Sequence, residues 1–434
     1  MRVALSLPSL PDTAIERHQI ESAVAALSEL VELEIFTETT RLRGGDLPAP
    51  AFHYLRIAER HADRPFTAAL HVVGRDFRPY EAAVLMARRI PSVVWFLDTM
   101  THHVLVGGLA PFGRWERYTE IHREHSAAGA MVATTIAAGW GTRAAFRTRD
   151  PLPEMLGRDN SLLAAAPDVM AGIGADVPIV PLPTDIPALR REAAPPSQIR
   201  TIAVIAPNLS WPGPELRALK AVLDGHPGLR VRYHLIKWFE AGVLGPAAAL
   251  GVKDDIEWVI EDGIEQRAAV ADSADCVVAT TGDPTLNDRG LVLRAMAAGQ
   301  VAVVMRAPAW EVLPDGALVV VDPGREREAG LRATLLALAA DDDLAAGIGQ
   351  AAAAHAGEFS PAHSAALLHE ALQRRADASP VEIRRTADRA LQQAQGLMVD
   401  YCTPHNASAA TRDLVTSAIG GIMPAAAGPA KWRP

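Results

Sequence analysis

Three groups of residues carry side chains able to do chemistry. The first is Asp98, His102 and His103, which follow the apolar run at residues 91–97, PSVVWFL. A carboxylate at the C-terminal end of a buried strand faces the crevice where α/β ligands bind, and it can accept a hydroxyl proton. Asp98 is therefore the candidate catalytic group. Asp98 and His102 are four apart and would share one face of a helix. The two histidines admit three readings: metal ligands, walls of an acceptor or sugar pocket, or a structural pair hydrogen-bonded near a strand end. Nothing nearby completes a metal-ligand set.

The second group lies in residues 274–315. A strand at 276–280 is expected to give way to a polar loop and then to a helix opening near Gly290. The first-turn N–H groups of such a helix make an anion site from backbone alone. Asp288 is positioned to cap it, and Arg289, Arg294 and Arg306 lie close by. The competing reading is an ordinary capped crossover helix with solvated arginines. The third group is Lys237, at the end of the run LRVRYHLIK, which reads either as a cleft-facing cation or as a solvated strand-end lysine. Trp211 and Trp310 also follow strand ends, where an indole stacks on a sugar or a base, or simply packs.

These residues need elements to hold them. In the first half, apolar runs at 2–7, 31–36, 67–73, 91–97 and 177–182 alternate with helical patterns. Residues about 103–170 read as mostly helical. In the second half, runs at 201–206, 229–237, 256–260, 276–280, 301–305 and 317–321 alternate with helices that continue to about 375. Strands apolar on both faces and separated by helices indicate parallel sheets covered on both sides. The expectation is two doubly wound α/β units, 1–186 and 201–375. A Pro-rich charged linker at 187–200 joins them, and a tail at 376–434 carries a helix at about 380–399.

Composition narrows the function. A chain of 434 residues suits two domains. With 49% hydrophobic and 21% charged residues, both domains can bury cores and global disorder is excluded. Lys+Arg 42 against Asp+Glu 51 leaves −9, which argues against a general nucleic-acid or anionic-membrane binder. Two cysteines, Cys276 and Cys402, exclude a disulfide framework and fit a reducing compartment. No run approaches 18 apolar residues, so no integral membrane segment is expected. The start, MRVALSLPSLPD, reads as a first strand rather than a signal peptide, and a cytoplasmic location is expected.

Two phrases resemble retaining GT-B glycosyltransferases of the bacterial family 4 type, which transfer sugars from nucleotide-sugar donors. Ala295, Met296, Ala297, Ala298 and Gly299 match that family's A-M-A-A-G phrase, and Glu311, Leu313, Pro314, Asp315 and Gly316 match its E-x-[LI]-P-D-G turn. Pro284, Thr285, Asp288, Gly290, Leu293, Arg294 and Ala295 look like a P-T-x-G-E-T-S-G…L-L-R-A-L version with one residue deleted. The run from Val93 to His103 resembles V-V-V-L-H-D-x-x-x-H-H. The resemblance implies a GT-B fold with two Rossmann-like domains facing across a cleft and a C-terminal helical tail.

It also implies metal-independent transfer to an acceptor hydroxyl with retention, and no cofactor. Asp98 would orient that hydroxyl, and Lys237, Asp288, Arg289, Gly290, Arg294, His102 and His103 would bind substrate. The first domain would take a small-molecule or glycan acceptor, and the second the nucleotide sugar. Departures from the family bring in a second reading. Leu97 replaces its sugar-binding histidine, Pro212 and Gly213 stand at its Lys-Gly clamp, and Leu286 and Arg294 stand at its glutamate pair. A catalytically degenerate GT-B protein that scaffolds an active glycosyltransferase fits those losses. The partners to consider are thus the two substrates, a second copy of the chain, or a partner glycosyltransferase.

Overall fold

Aliphatic and β-branched runs too short for helices form the strands, and most are buried on both faces. Val93–Phe96 and Cys276–Ala279 are buried at every position, as parallel strands flanked by helices must be. A computed structural model describes residues 1–8, 15–37, 47–75, 77–98, 104–106, 115–139, 151–173, 176–183, 198–206, 212–260, 264–282, 284–311, 313–379 and 381.

The first unit runs β1 (Arg2–Ser6), α1 (Ile15–Ser28), β2 (Glu32–Thr37), β3 (Ala51–His53), α2 (Ile57–Asp63), β4 (Ala68–Val73), α3 (Phe77–Arg89), β5 (Val93–Phe96), α4 (Trp115–His125), α5 (Ala127–Ala137), α6 (Pro151–Gly157), β6 (Ser161–Ala164) and α7 (Pro167–Ile173). The second runs β7 (Thr201–Ala206), α8 (Gly213–Gly225), β8 (Arg230–Leu235), α9 (Glu240–Ala249), β9 (Ile256–Ile260), α10 (Ile264–Asp272), β10 (Cys276–Ala279), α11 (Leu286–Ala297), β11 (Val301–Met305), β12 (Val319–Val321), α12 (Arg327–Ala340), α13 (Asp342–Ala356) and α14 (Pro361–Ala378). Each unit has one six-stranded sheet, ordered β3-β2-β1-β4-β5-β6 and β12-β11-β10-β7-β8-β9. All pairings are parallel. Both orders reverse once, beside β1 and beside β7, which is the switch point where doubly wound sheets open a crevice.

Several expected elements differ in the structure. Residues 177–182 form no strand; Ile179 makes a single bridge to Ala164. That edge is occupied instead by β6, a four-residue strand hidden in a stretch expected to be helical. The short β3 and the helix α9 were not signalled by periodicity. Helix α11 opens at Leu286, four residues before the expected Gly290. Helix α14, expected in the second unit, packs on α1 and β4 of the first. Its Ala365, Leu368, Ala371 and Leu372 belong to the same core as Val3, Leu5, Leu70 and Trp95. Most of the linker at 187–200, and the tail helix at 380–399, lie outside the described residues. No described helix is long and apolar enough to cross a membrane.

Buried polar side chains fix the first sheet. Asn160 accepts from the Ser92 amide at 2.7 Å and donates to the carbonyls of Ala87 and Leu156. Trp95 Nε1 donates to the Val180 carbonyl at 3.0 Å, holding the chain as it leaves the first unit. His71 is fully buried on β4; its Nε2 donates to the Ile90 carbonyl at 2.9 Å, so Nδ1 accepts from the Ser6 hydroxyl at 3.0 Å. Burial pushes this imidazole down to about 4, despite the opposing carbonyl contact.

The unfolded chain therefore protonates His71 before the folded chain does. Stability tied to this residue is complete above about 6.5 and is lost as pH falls from there through about 4. The loss expected by pH 4 is roughly 3 kcal/mol. Urea titrations from pH 7 to pH 4 should show that decline in the native protein, and a much flatter one in His71→Gln.

Candidate functional site between the two sheets

Helix α11 begins the site. Thr285 is its N-cap, and a reciprocal capping box closes it. The Asp288 amide donates to Thr285 Oγ1, while Asp288 Oδ2 accepts from the Thr285 amide and hydroxyl, each at 2.8 Å. The other carboxylate oxygen of Asp288 accepts from Arg267 of α10. Asp288 thus sets the helix start, from the third helical position, with both its oxygens engaged. The first-turn amides that this cap leaves outside the helix ladder are those of Leu286 and Asn287. This corrects the expectation for Gly290. It lies in the second turn, where helix geometry commits its amide to the Leu286 carbonyl. Its backbone faces the first unit, beside Arg289.

Arg289 is the residue that joins the units. It is only 7% exposed. Nη1 donates to Asp168 Oδ1 at 2.7 Å and Nη2 donates to the Leu97 carbonyl at 3.2 Å. Leu97 and Asp98 leave β5, and Asp168 sits in the first turn of α7 just after β6, so all three lie at the C-terminal ends of neighbouring strands. Asp98 is 8% exposed and next in sequence to the carbonyl that Arg289 grips. Burial pushes the Asp168 carboxyl above its ordinary value; the Arg289 guanidinium opposes that shift and the charge of Asp98 adds to it. The gap therefore holds the Asp168 carboxylate on the Arg289 guanidinium, with the Asp98 charge near enough to act on Asp168.

The other expected substrate-binding residues fall elsewhere. Arg294 is bound by both oxygens of Asp272 on α10, at 3.1 and 2.7 Å, a contact within the second unit. Arg306 pairs with Asp322. Lys237 begins a 3-10 turn (Lys237–Phe239) directly after β8 and is exposed. His102, His103 and Trp211 lie outside the described residues. Among the described residues, no three His, Cys, Asp or Glu side chains cluster as a metal site.

Two polar residues of this region were not singled out in the sequence. Asp168 pairs with Arg289 across 121 positions, and only its place in the Pro-Asp start of a helix hints at a role. Glu215 follows the Pro212-Gly213 pair and is 1% exposed. It accepts from the Tyr233 hydroxyl at 2.5 Å and from the Thr280 hydroxyl. Burial, reinforced by the Glu215 charge, holds the Tyr233 phenol well above its usual range. Glu215 thereby ties α8, β8 and the end of β10 together beneath the first loop of the second unit.

No protein-family model matches the chain, and no curated protein matches its sequence. Solved structures do match its fold. A glycosyltransferase from Rickettsia africae aligns with a TM-score of 0.53 at 13% identity, covering 87% of this chain and 99% of that one. Sucrose-phosphate synthase from Thermosynechococcus elongatus aligns at 0.52 with 12% identity, covering 87% and 99%. Anabaena HepE, solved with UDP and glucose, aligns at 0.52 with 15% identity, covering 86% and 100%. The chain has the GT-B fold: two Rossmann-like units, each built on a six-stranded parallel sheet.

The Asp168 carboxyl stands above 3.8 in the folded protein, so between 3.8 and the raised value the folded state binds more proton than the unfolded state does. Stability from this residue is fully present below 3.8 and is lost as pH rises through the raised value. The difference in unfolding free energy between the native protein and Asp168→Asn should therefore shift against the native protein as pH climbs through that window. Paired denaturation curves measure it.

Proposed function

We propose that this chain is a glycosyltransferase that moves a sugar from a nucleotide-diphosphate sugar to an acceptor hydroxyl, with retention of configuration and without a metal. The observation that carries this reading is the cluster of buried Asp98 and Arg289 with half-buried Asp168 at the gap of a GT-B fold. In this reading the diphosphate takes the Arg289 guanidinium from Asp168 and meets the Leu286 and Asn287 amides at the start of α11. Each charge-assisted contact of that kind contributes about 1.5–3 kcal/mol. Lys237 adds a second cation from the end of β8, and Asp98 orients the acceptor hydroxyl. Catalysis then rests on positioning and on neutralising the leaving diphosphate. HepE, which shares the fold, was solved with UDP, so a uridine diphosphate sugar is the first donor to test.

A specific observation keeps the scaffolding reading in view: Arg289 and Arg294 are both ion-paired within the chain. Thermal shift with UDP, GDP, ADP and TDP separates the two. A nucleotide at a hundredfold excess over its Kd should stabilise the enzyme by about 2.7 kcal/mol. Lys237→Ala should weaken that nucleotide roughly tenfold. No shift with any of the four nucleotides, together with co-purification of another glycosyltransferase, selects the scaffold.

A further inference from the structure

Beside Arg289 the two units line a partly open pocket of about 230 Å³, between α1, α11, α14 and the 3-10 turn Pro308–Trp310. Its walls are mainly apolar, with Leu182, Leu286, Leu293, Leu313, Phe359 and Leu367 among them. Two polar side chains line it from opposite units: Gln19 of α1, 3% exposed, and Trp310, 4% exposed. Gln19 Oε1 and Trp310 Nε1 are buried with no hydrogen-bond partner. Such orphans are rare in folded proteins, and each costs about 1–3 kcal/mol. One is an acceptor and the other only a donor.

The one buried charge of this wall, Arg289, is held by Asp168. Glu358 and His363 lie at its exposed rim. The complement of the buried part of the wall is therefore neutral. Size sets the next limit. An apolar cavity of about 150 Å³ stays dry and takes benzene, whereas drug-sized ligands fill about 300–1,000 Å³. At about 230 Å³ the space lies between these two.

We propose that this cavity is a binding site for a small neutral cyclic or aromatic alcohol. The ring fills the leucine-lined space. A hydroxyl both donates and accepts, so it accepts from the Trp310 indole N–H and donates to the Gln19 carbonyl. Gln19 and Trp310 belong to different units, so an occupant touches both and favours the arrangement in which they are closed. The cavity shares Leu286 and Arg289 with the nucleotide reading, but its ligand is tested without nucleotide, so the two readings fail separately.

The test uses the full chain without nucleotide. Benzyl alcohol, phenol and cyclohexylmethanol are titrated by calorimetry, with toluene as the partner lacking a hydroxyl, and crystals are soaked with benzyl alcohol. The expected result is saturable single-site binding of the alcohols, with the ring in the cavity. Ala309→Phe, which fills the space, should abolish it. Trp310→Phe should weaken benzyl alcohol by about tenfold and leave toluene unchanged. Absence of saturable binding by all three alcohols, or soaked crystals with only water in the cavity, overturns the proposal. If Ala309→Phe does not fold, the Trp310→Phe contrast between benzyl alcohol and toluene and the soaked crystals still decide it.

Discussion

One buried arginine governs how the two halves of this protein meet. Arg289 leaves α11 in the second unit and satisfies its guanidinium on the Asp168 carboxylate and the Leu97 carbonyl of the first. Removing Asp168 leaves the Arg289 charge unpaired where little water reaches it, which is costly. The pair is thus a strong constraint even though its net gain over apolar packing is small. Asp168 shows the tension directly, since burial and Asp98 push its proton affinity up while Arg289 pulls it down. A cation held in this way is poised for exchange. An incoming anion need not bring Arg289 out of water, because that desolvation has already happened on folding.

The rest of the architecture supports this contact. Both sheets use the same strand order, so each presents the C-terminal ends of its central strands at a switch point. Asp98 and Asp168 reach the gap because β5 and β6 are adjacent, in register from Val93↔Ser161 to Phe96↔Ala164. On the other side, the capping box of Thr285 and Asp288 determines where α11 starts and therefore which turn carries Arg289. Glu215 fixes the neighbouring strand ends by accepting from Tyr233 and Thr280. The site is held by polar contacts at strand ends, and the apolar cores behind them supply the rigidity.

The parts legible in the sequence were those governed by local rules. The buried strands showed as apolar runs, and ten of the twelve followed from them. The phrases at 295–299 and 311–316 stood out by their resemblance to a family, and each ends in a glycine with a left-handed backbone. Gly299 has φ 73 and closes α11, with bonds from the Gln300 amide to Ala295 and from its own amide to Met296; Gly316 has φ 87 in the following turn. Those phrases therefore report the fold more than the chemistry. The start of α11 was misplaced because Asp288 alone was read as the cap, although the pair Thr285 and Asp288 carries the signal. Asp168 was invisible for a different reason: its partner is 121 residues away, and no periodicity encodes a contact of that kind. Strands β3 and β6 are three and four residues long, too short to show alternation.

Helix α14 carries a consequence of its own. The chain passes from the first unit to the second beyond residue 183, and it returns when α14 lies down on α1 and β4. Ser364 Oγ donates to the Pro181 carbonyl at 2.7 Å, so the outgoing and returning strands of chain touch where they cross. Two passages of one chain thus meet at a single point, and the units are tied to each other there by a hydrogen bond as well as by the backbone.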